Sequence, residues 1–141
     1  MVRALSALRQ ETRVLCISSA WRAPALETLG PDFLNAVVKV ETSLSASTLK
    51  AQVLRSIETR LGRQRSQDKN TPRTIDLDVL IFDDVVVDAH IWDYAHLAVP
   101  LAECLPTLMR PSSNQRIEEI AQELQKTNKI QKTDLFSKHT P

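Results

Sequence analysis

The sequence predicts an α+β fold in which an antiparallel sheet is flanked by helices, and three observations carry that prediction. Helical and strand periodicities alternate along one short chain, in the order helix, strand, strand, helix, strand. The middle helix has a complete set of start and stop signals. The last strand alternates apolar and acidic residues with period two. Together these match the later part of a βαββαβ unit whose first strand is missing.

The opening residues, Met1 to Glu11, space Val2, Leu5 and Leu8 three apart among Arg3, Ser6, Arg9 and Gln10, as an amphipathic helix does. Thr12 to Ser19 follows, with Val14, Leu15, Cys16 and Ile17 in succession, and reads as a buried strand. Pro24, Gly30 and Pro31 then mark a turn region, and Phe33 to Thr42 gives a second strand through Val37, Val38 and Val40. The connection suits an antiparallel pair. Ser45 is an N-cap for a helix carrying Leu49, Val53, Ile57 and Leu61, and Gly62 stands where a left-handed terminal residue is wanted.

Gly62 to Pro72 lacks an apolar anchor and reads as a mobile surface loop. Thr74 to Phe82 is the third strand, with Ile75, Leu77, Val79 and Ile81 on one face and Asp76, Asp78, Leu80 and Phe82 on the other. Asp83-Asp84 turns the chain into Val85 to Val87. Leu101 to Leu105 is expected as a short helical turn stopped near Pro106, and Ile117 to Lys126 as a helix with Ile117, Ile120, Ala121 and Leu124 inward. A single domain over residues 1–126 is expected, with 127–141 as a polar, frayed tail.

Composition narrows the function. Eighteen basic against 17 acidic side chains leave a net charge of +1, too little for a field that holds nucleic acid or an anionic membrane. No apolar run approaches the roughly 20 residues needed to span a bilayer, and the N-terminus is not a secretory signal, so a cytoplasmic protein is expected. Cys16 and Cys104 lie in separate apolar stretches without zinc-ligand spacing, and read as buried free thiols. With only two glycines, no glycine-rich loop can cradle phosphates. A bound nucleotide would need side chains and metal ions instead.

Asp76 and Asp78 are the chemical centre of interest. Strand alternation puts both carboxylates on one face, with Cβ atoms about 7 Å apart. Such a pair needs cationic compensation, and magnesium prefers one or two carboxylates plus phosphate oxygens. Two ions held there could clamp both sides of an in-line displacement. The alternative is a pair of aspartates on the solvent face of an edge strand. Arg60, Arg63, Arg65, Lys69 and Arg73, just upstream, supply forks for phosphate, although such a run can also be a solvated loop.

The run from Pro72 to Ile81, Pro-Arg-Thr-Ile-Asp-Leu-Asp-Val-Leu-Ile, resembles the signature of the 6-hydroxymethyl-7,8-dihydropterin pyrophosphokinase family. Further likeness lies in Ser18-Ser19 with Arg22 and Pro24, Phe33 to Val37, Val40 to Leu44, Ile57-Glu58, Gly62 to Arg65, and Val99 to Glu103 with Pro106, covering roughly residues 1–110. The resemblance implies a ferredoxin-like fold and transfer of pyrophosphate from ATP to the pterin hydroxymethyl group, giving AMP, in folate biosynthesis. It further implies Arg73, Asp76 and Asp78 as catalytic residues, with Asp76 and Asp78 holding two magnesium ions. Glu58, Arg63, Arg65, Lys69, Arg73 and His90 would contact the nucleotide, and Phe33, Asn35 and His96 the pterin. Local strand bonding for Asn35, core packing for Phe33 and a partly buried structural role for His96 are the structural alternatives.

The chain departs from the family pattern in several places. The strand ending in a Gly-Ser-Asn turn, with which family members usually begin, is missing, which suggests a late start or a truncation ahead of the third explanation, another segment that fills its place. The connection between Phe82 and Pro100 is short, with Tyr94 about where an arginine is expected and His96 where an aromatic is. Asn70-Thr71 stands for a common Trp-Gly pair, and Ala23 for a threonine. A competing function is a catalytically impaired pterin- or nucleotide-binding protein of this fold, partnered with other folate-pathway enzymes. An RNA-binding module of similar topology lacks its stacking aromatics here, at 4% of the residues.

Overall fold

The computed structural model describes residues 1–25, 31–62 and 75–136. They fall into two compact units, one of residues 1–14 and 40–87, the other of residues 15–39 and 88 onward.

The first unit is built on α1 (Val2–Glu11), whose Ala4, Leu5 and Leu8 are buried as the three- and four-residue spacing requires. Its helical partner begins at the Ser45 N-cap, whose Oγ accepts the Thr48 N–H at 3.2 Å. That helix runs through α2 (Ala46–Thr48), a π-helical stretch (Leu49–Leu54) and α3 (Arg55–Arg60), and Gly62 follows at φ +92°. Leu49, Val53, Leu54, Ile57 and Glu58 are the helix's buried side chains, one stripe along its length. Ala4, Leu8, Leu49, Val53, Leu54 and Ile57 form the core, and Ile75, Leu77, Val79 and Phe82 pack on it.

The third expected strand is shorter than the alternation suggests. Only Ile81–Phe82 pairs, antiparallel to Val85–Val86, across a two-residue turn in which Asp83 and Asp84 adopt φ of 48° and 63°. Residues 75–79 keep the alternation of burial, but no ladder partner for them lies among the described residues. A bend at Leu80 interrupts the pattern, and Phe82, expected on the aspartate face, instead packs on the core.

In the second unit the run expected as one strand from Thr12 to Ser19 is split. Strand β1 (Arg13–Ile17) stops before Ser18, and β2 (Ala20–Ala23) forms where a turn was expected, because alanine and arginine are weak strand formers that give no sequence signal. The second expected strand is likewise two, β3 (Phe33–Asn35) and β4 (Val38–Glu41). β1 pairs with β4, while β2 pairs antiparallel with β3. The hairpin of the first unit supplies β5 (Ile81–Phe82) and β6 (Val85–Val86), and the chain adds β7 (Gln131–Thr133) beyond β2. The tail expected to fray thus supplies an edge strand, with Ile130 buried beside it.

Helix α4 (Ala95–Cys104) is longer than the turn expected at Leu101 to Leu105, and Pro100 lies inside it. Pro100 forfeits one helical hydrogen bond, but Ala95, Ala98, Val99 and Leu101 are all buried on the same helix, which packs against α5 (Ile117–Thr127). α5 buries Ile117, Ile120 and Ala121 as its periodicity predicts, and Glu119 accepts the Arg116 N–H at its start. Cys16 and Cys104, expected as separate thiols, have Cα atoms 5.9 Å apart and are joined as a disulfide. Sequence spacing could not show this, since 88 residues separate them. The α+β class stands, with antiparallel pairings and packed helices in one chain.

Candidate functional site

In the first unit Asp76 and Asp78 are both exposed, while Ile75, Leu77 and Val79 turn to the core. The two carboxylates therefore share a face, as the alternation predicts. What pins that face is Glu58, 7% exposed on α3, whose Oε1 accepts the Leu77 N–H at 2.8 Å between the two aspartates. A buried carboxylate bonded to backbone holds the segment's register more firmly than apolar contact alone. Asp78 also has Lys50 Nζ at 3.8 Å, an open ion pair of two exposed groups that contributes little. A metal with phosphate ligands can displace such a contact.

Hard, anionic oxygens on an open face suit magnesium, which takes few protein ligands and keeps water or phosphate for the rest. No group of three or more His, Cys, Asp or Glu side chains that could hold a metal ion occurs among the described residues. Asp76 and Asp78 thus belong to no closed protein cage among the described residues. Arg63, Arg65, Lys69 and Arg73 lie outside the described residues. A wide groove in this unit, lined by Arg9, Arg13, Glu41 and Ser43, contains none of the expected site residues.

In the second unit Phe33 and Asn35 are neighbours on β3, in register with Ala23 and Trp21 of β2. Phe33 is 57% exposed, which removes the core-aromatic alternative and leaves its ring face open. Asn35 is half-buried, and the chain two residues on is tied down: Ser18, 2% exposed, accepts the Val37 N–H at 2.8 Å through Oγ and donates its own N–H to the Val37 carbonyl. Glu103 fixes the same turn from α4, accepting the Ser19 N–H at 2.8 Å and the Trp21 Nε1–H at 2.6 Å.

His90 and His96 belong to one aromatic stack. Tyr94 lies between them, with ring centroids 5.0 Å from His90 and 5.5 Å from His96. Asp88 caps the 3-10 turn Ala89–Trp92 through the His90 N–H and lies 2.9 Å from His90 Nδ1. Burial pushes the His96 imidazole below its ordinary value, and the negative Asp88 pulls it partly back. The supporting roles of Trp21 and Asp88 had no sequence signal of their own, since each depends on a partner brought near by folding, and Glu103 enters the sequence reading only as part of the family likeness.

The family model for 7,8-dihydro-6-hydroxymethylpterin-pyrophosphokinase matches residues 1–106, well over half of the chain, and the chain belongs to that family. Among curated relatives, it is similar to the fission yeast Schizosaccharomyces pombe protein "Folic acid synthesis protein fol1", 33% identical over 79% of this chain and 16% of that protein. It is also similar to the 2-amino-4-hydroxy-6-hydroxymethyldihydropteridine pyrophosphokinases of Synechocystis, 32% identical over 76% of this chain and 58% of that protein, and of Pseudomonas aeruginosa, 31% identical over 79% and 73%. The chain spans less than two thirds of the length of the first of these relatives. No helix among the described residues is long and apolar enough to cross a membrane.

Proposed function

We propose that this chain transfers the pyrophosphate group of ATP to 6-hydroxymethyl-7,8-dihydropterin and releases AMP, a step of folate biosynthesis. The hydroxymethyl oxygen forms a bond to the β-phosphorus and gives up its proton to solvent, and the bond from that phosphorus to the oxygen bridging to the α-phosphate breaks, the electron pair leaving with AMP. The observation that carries this reading is the shared open face of Asp76 and Asp78, held in register by the buried Glu58 carboxylate. Two magnesium ions bound there with the triphosphate would supply the positive charge that stabilises the transferring group.

The remaining work falls to the chain's own side chains. Asn35 offers a donor and an acceptor to the pterin edge, Phe33 an open ring to stack on, and His96 a half-buried imidazole that favours its neutral form. Arg63, Arg65, Lys69 and Arg73, with His90, are assigned to the nucleotide on sequence grounds. Positioning two substrates and neutralising phosphate charge account for the acceleration, with no side chain required to form a covalent intermediate. A cytoplasmic location is the corresponding reading of the compartment, and the Cys16–Cys104 pair weighs against it because disulfides are rare in reducing surroundings. Alkylation of the protein at the moment of cell lysis decides between the two.

The test is a coupled assay for AMP release from ATP, the dihydropterin and magnesium. Wild-type protein is expected to turn over, and Asp78→Ala to lose activity by at least about a hundredfold, the scale of removing a charge-stabilising group. Full activity in Asp78→Ala removes the metal role. Pterin binding by the wild type without turnover supports the catalytically impaired alternative instead.

A further inference from the structure

Strand β7 lies outside residues 1–106, the stretch the family model matches, yet it joins the sheet that carries Asn35. The register makes the juxtaposition specific. Trp21 pairs with Asn35 on one side and with Lys132 on the other. Residues directly opposite across antiparallel strands share a face, so Asn35, Trp21 and Lys132 form one row over three strands.

Lys132 completes a set of charges around the indole. Its Nζ lies 5.8 Å from the Trp21 ring centroid, within reach of a cation–π interaction. At the ring edge the Nε1–H is donated to Glu103, so a cation over the face and an anion in the plane each strengthen the other's hold. Trp21 is 8% exposed and is the cross-strand partner of Asn35 in the row. Two strand spacings, about 9.6 Å, separate the backbone of Lys132 from that of Asn35, with Trp21 between them.

We infer that Lys132 is a positioning residue for pterin recognition, acting through Trp21 on Asn35. The inference rests on the proposed assignment of Asn35 to the pterin. It makes the C-terminal strand part of the substrate site without contributing a contact to substrate.

The experiment uses the full chain and calorimetric titration with 6-hydroxymethyl-7,8-dihydropterin in magnesium and α,β-methylene-ATP, which cannot release AMP. The nucleotide is titrated separately against each variant. Lys132→Ala is expected to weaken pterin binding about two- to fivefold, the scale of an exposed cation–π contact, and to leave nucleotide binding unchanged. Lys132→Arg keeps the cation and is expected to restore the wild-type constant. Pterin binding unchanged in Lys132→Ala but weakened in Asn35→Ala overturns the role of Lys132 alone. Weakening equal in Lys132→Ala and Lys132→Arg, or nucleotide weakening in step with pterin weakening, overturns it as well. No pterin binding by the wild type, or none lost in Asn35→Ala, overturns the assignment of Asn35 and this inference with it.

Discussion

His96 shows how one side chain's surroundings set its chemistry. Burial among α4 and its neighbours disfavours the imidazolium, and the negative Asp88 only partly offsets this. The folded-state value is therefore below the ordinary one of about 6.5, and the unfolded chain binds more protons in the window between them. His96 contributes stability that is fully present above the ordinary value and is lost as pH falls through the folded one. Urea denaturation from about pH 8 to about pH 5 should show wild-type stability falling with acidification, and His96→Asn should flatten that fall. Identical slopes in the two proteins would remove burial of His96 as the cause. Glu58 acts on the backbone instead: its buried carboxylate accepts the Leu77 N–H and so fixes the chain between Asp76 and Asp78.

Individual elements divide into those announced by local signals and those created by neighbours. The Ser45 cap is local: its side chain satisfies a helix-end N–H that has no partner within the helix. Ser45→Ala should lower stability by about 1 kcal/mol, read as a smaller urea midpoint with an unchanged slope. Unaltered midpoints would mean that Ser47 or Thr48 replaces the cap. Leu49, Val53, Ile57 and the terminal Gly62 were legible for the same reason, since periodicity and capping act within a few residues. The π-stretch Leu49–Leu54 was not legible, because it answers to the core it packs on. Strands β2 and β7 were not legible either. Ala20, Arg22, Gln131 and Lys132 carry little strand propensity and become strand only because partners in register complete their hydrogen bonds. The Asp76–Asp78 alternation was legible down to the exposed face, but the bend at Leu80 that returns Phe82 to the core was not.

At the scale of the molecule, the chain leaves the second unit after Lys39 and returns at Asp88, with 48 residues of the first unit between. The disulfide from Cys16 in β1 to Cys104 at the end of α4 closes a loop that contains this excursion. Long closed loops restrict the unfolded chain most, so Cys16→Ser/Cys104→Ser should cost ~2–4 kcal/mol in urea denaturation under oxidising conditions. Two free thiols titrated in denatured, unreduced wild-type protein would contradict the pairing. The sequence by itself determined the α+β class, the helices of Val2–Glu11, Ala46–Arg60 and Ile117–Thr127, the family and the acidic pair, because these depend on residue type, spacing and short-range geometry. Only the tertiary structure decided the split strands, the disulfide, the Glu58 anchor and the row from Lys132 through Trp21 to Asn35. Each of those joins residues distant in sequence, and it is packing and hydrogen-bond completion between them, not any local preference, that selects the partners.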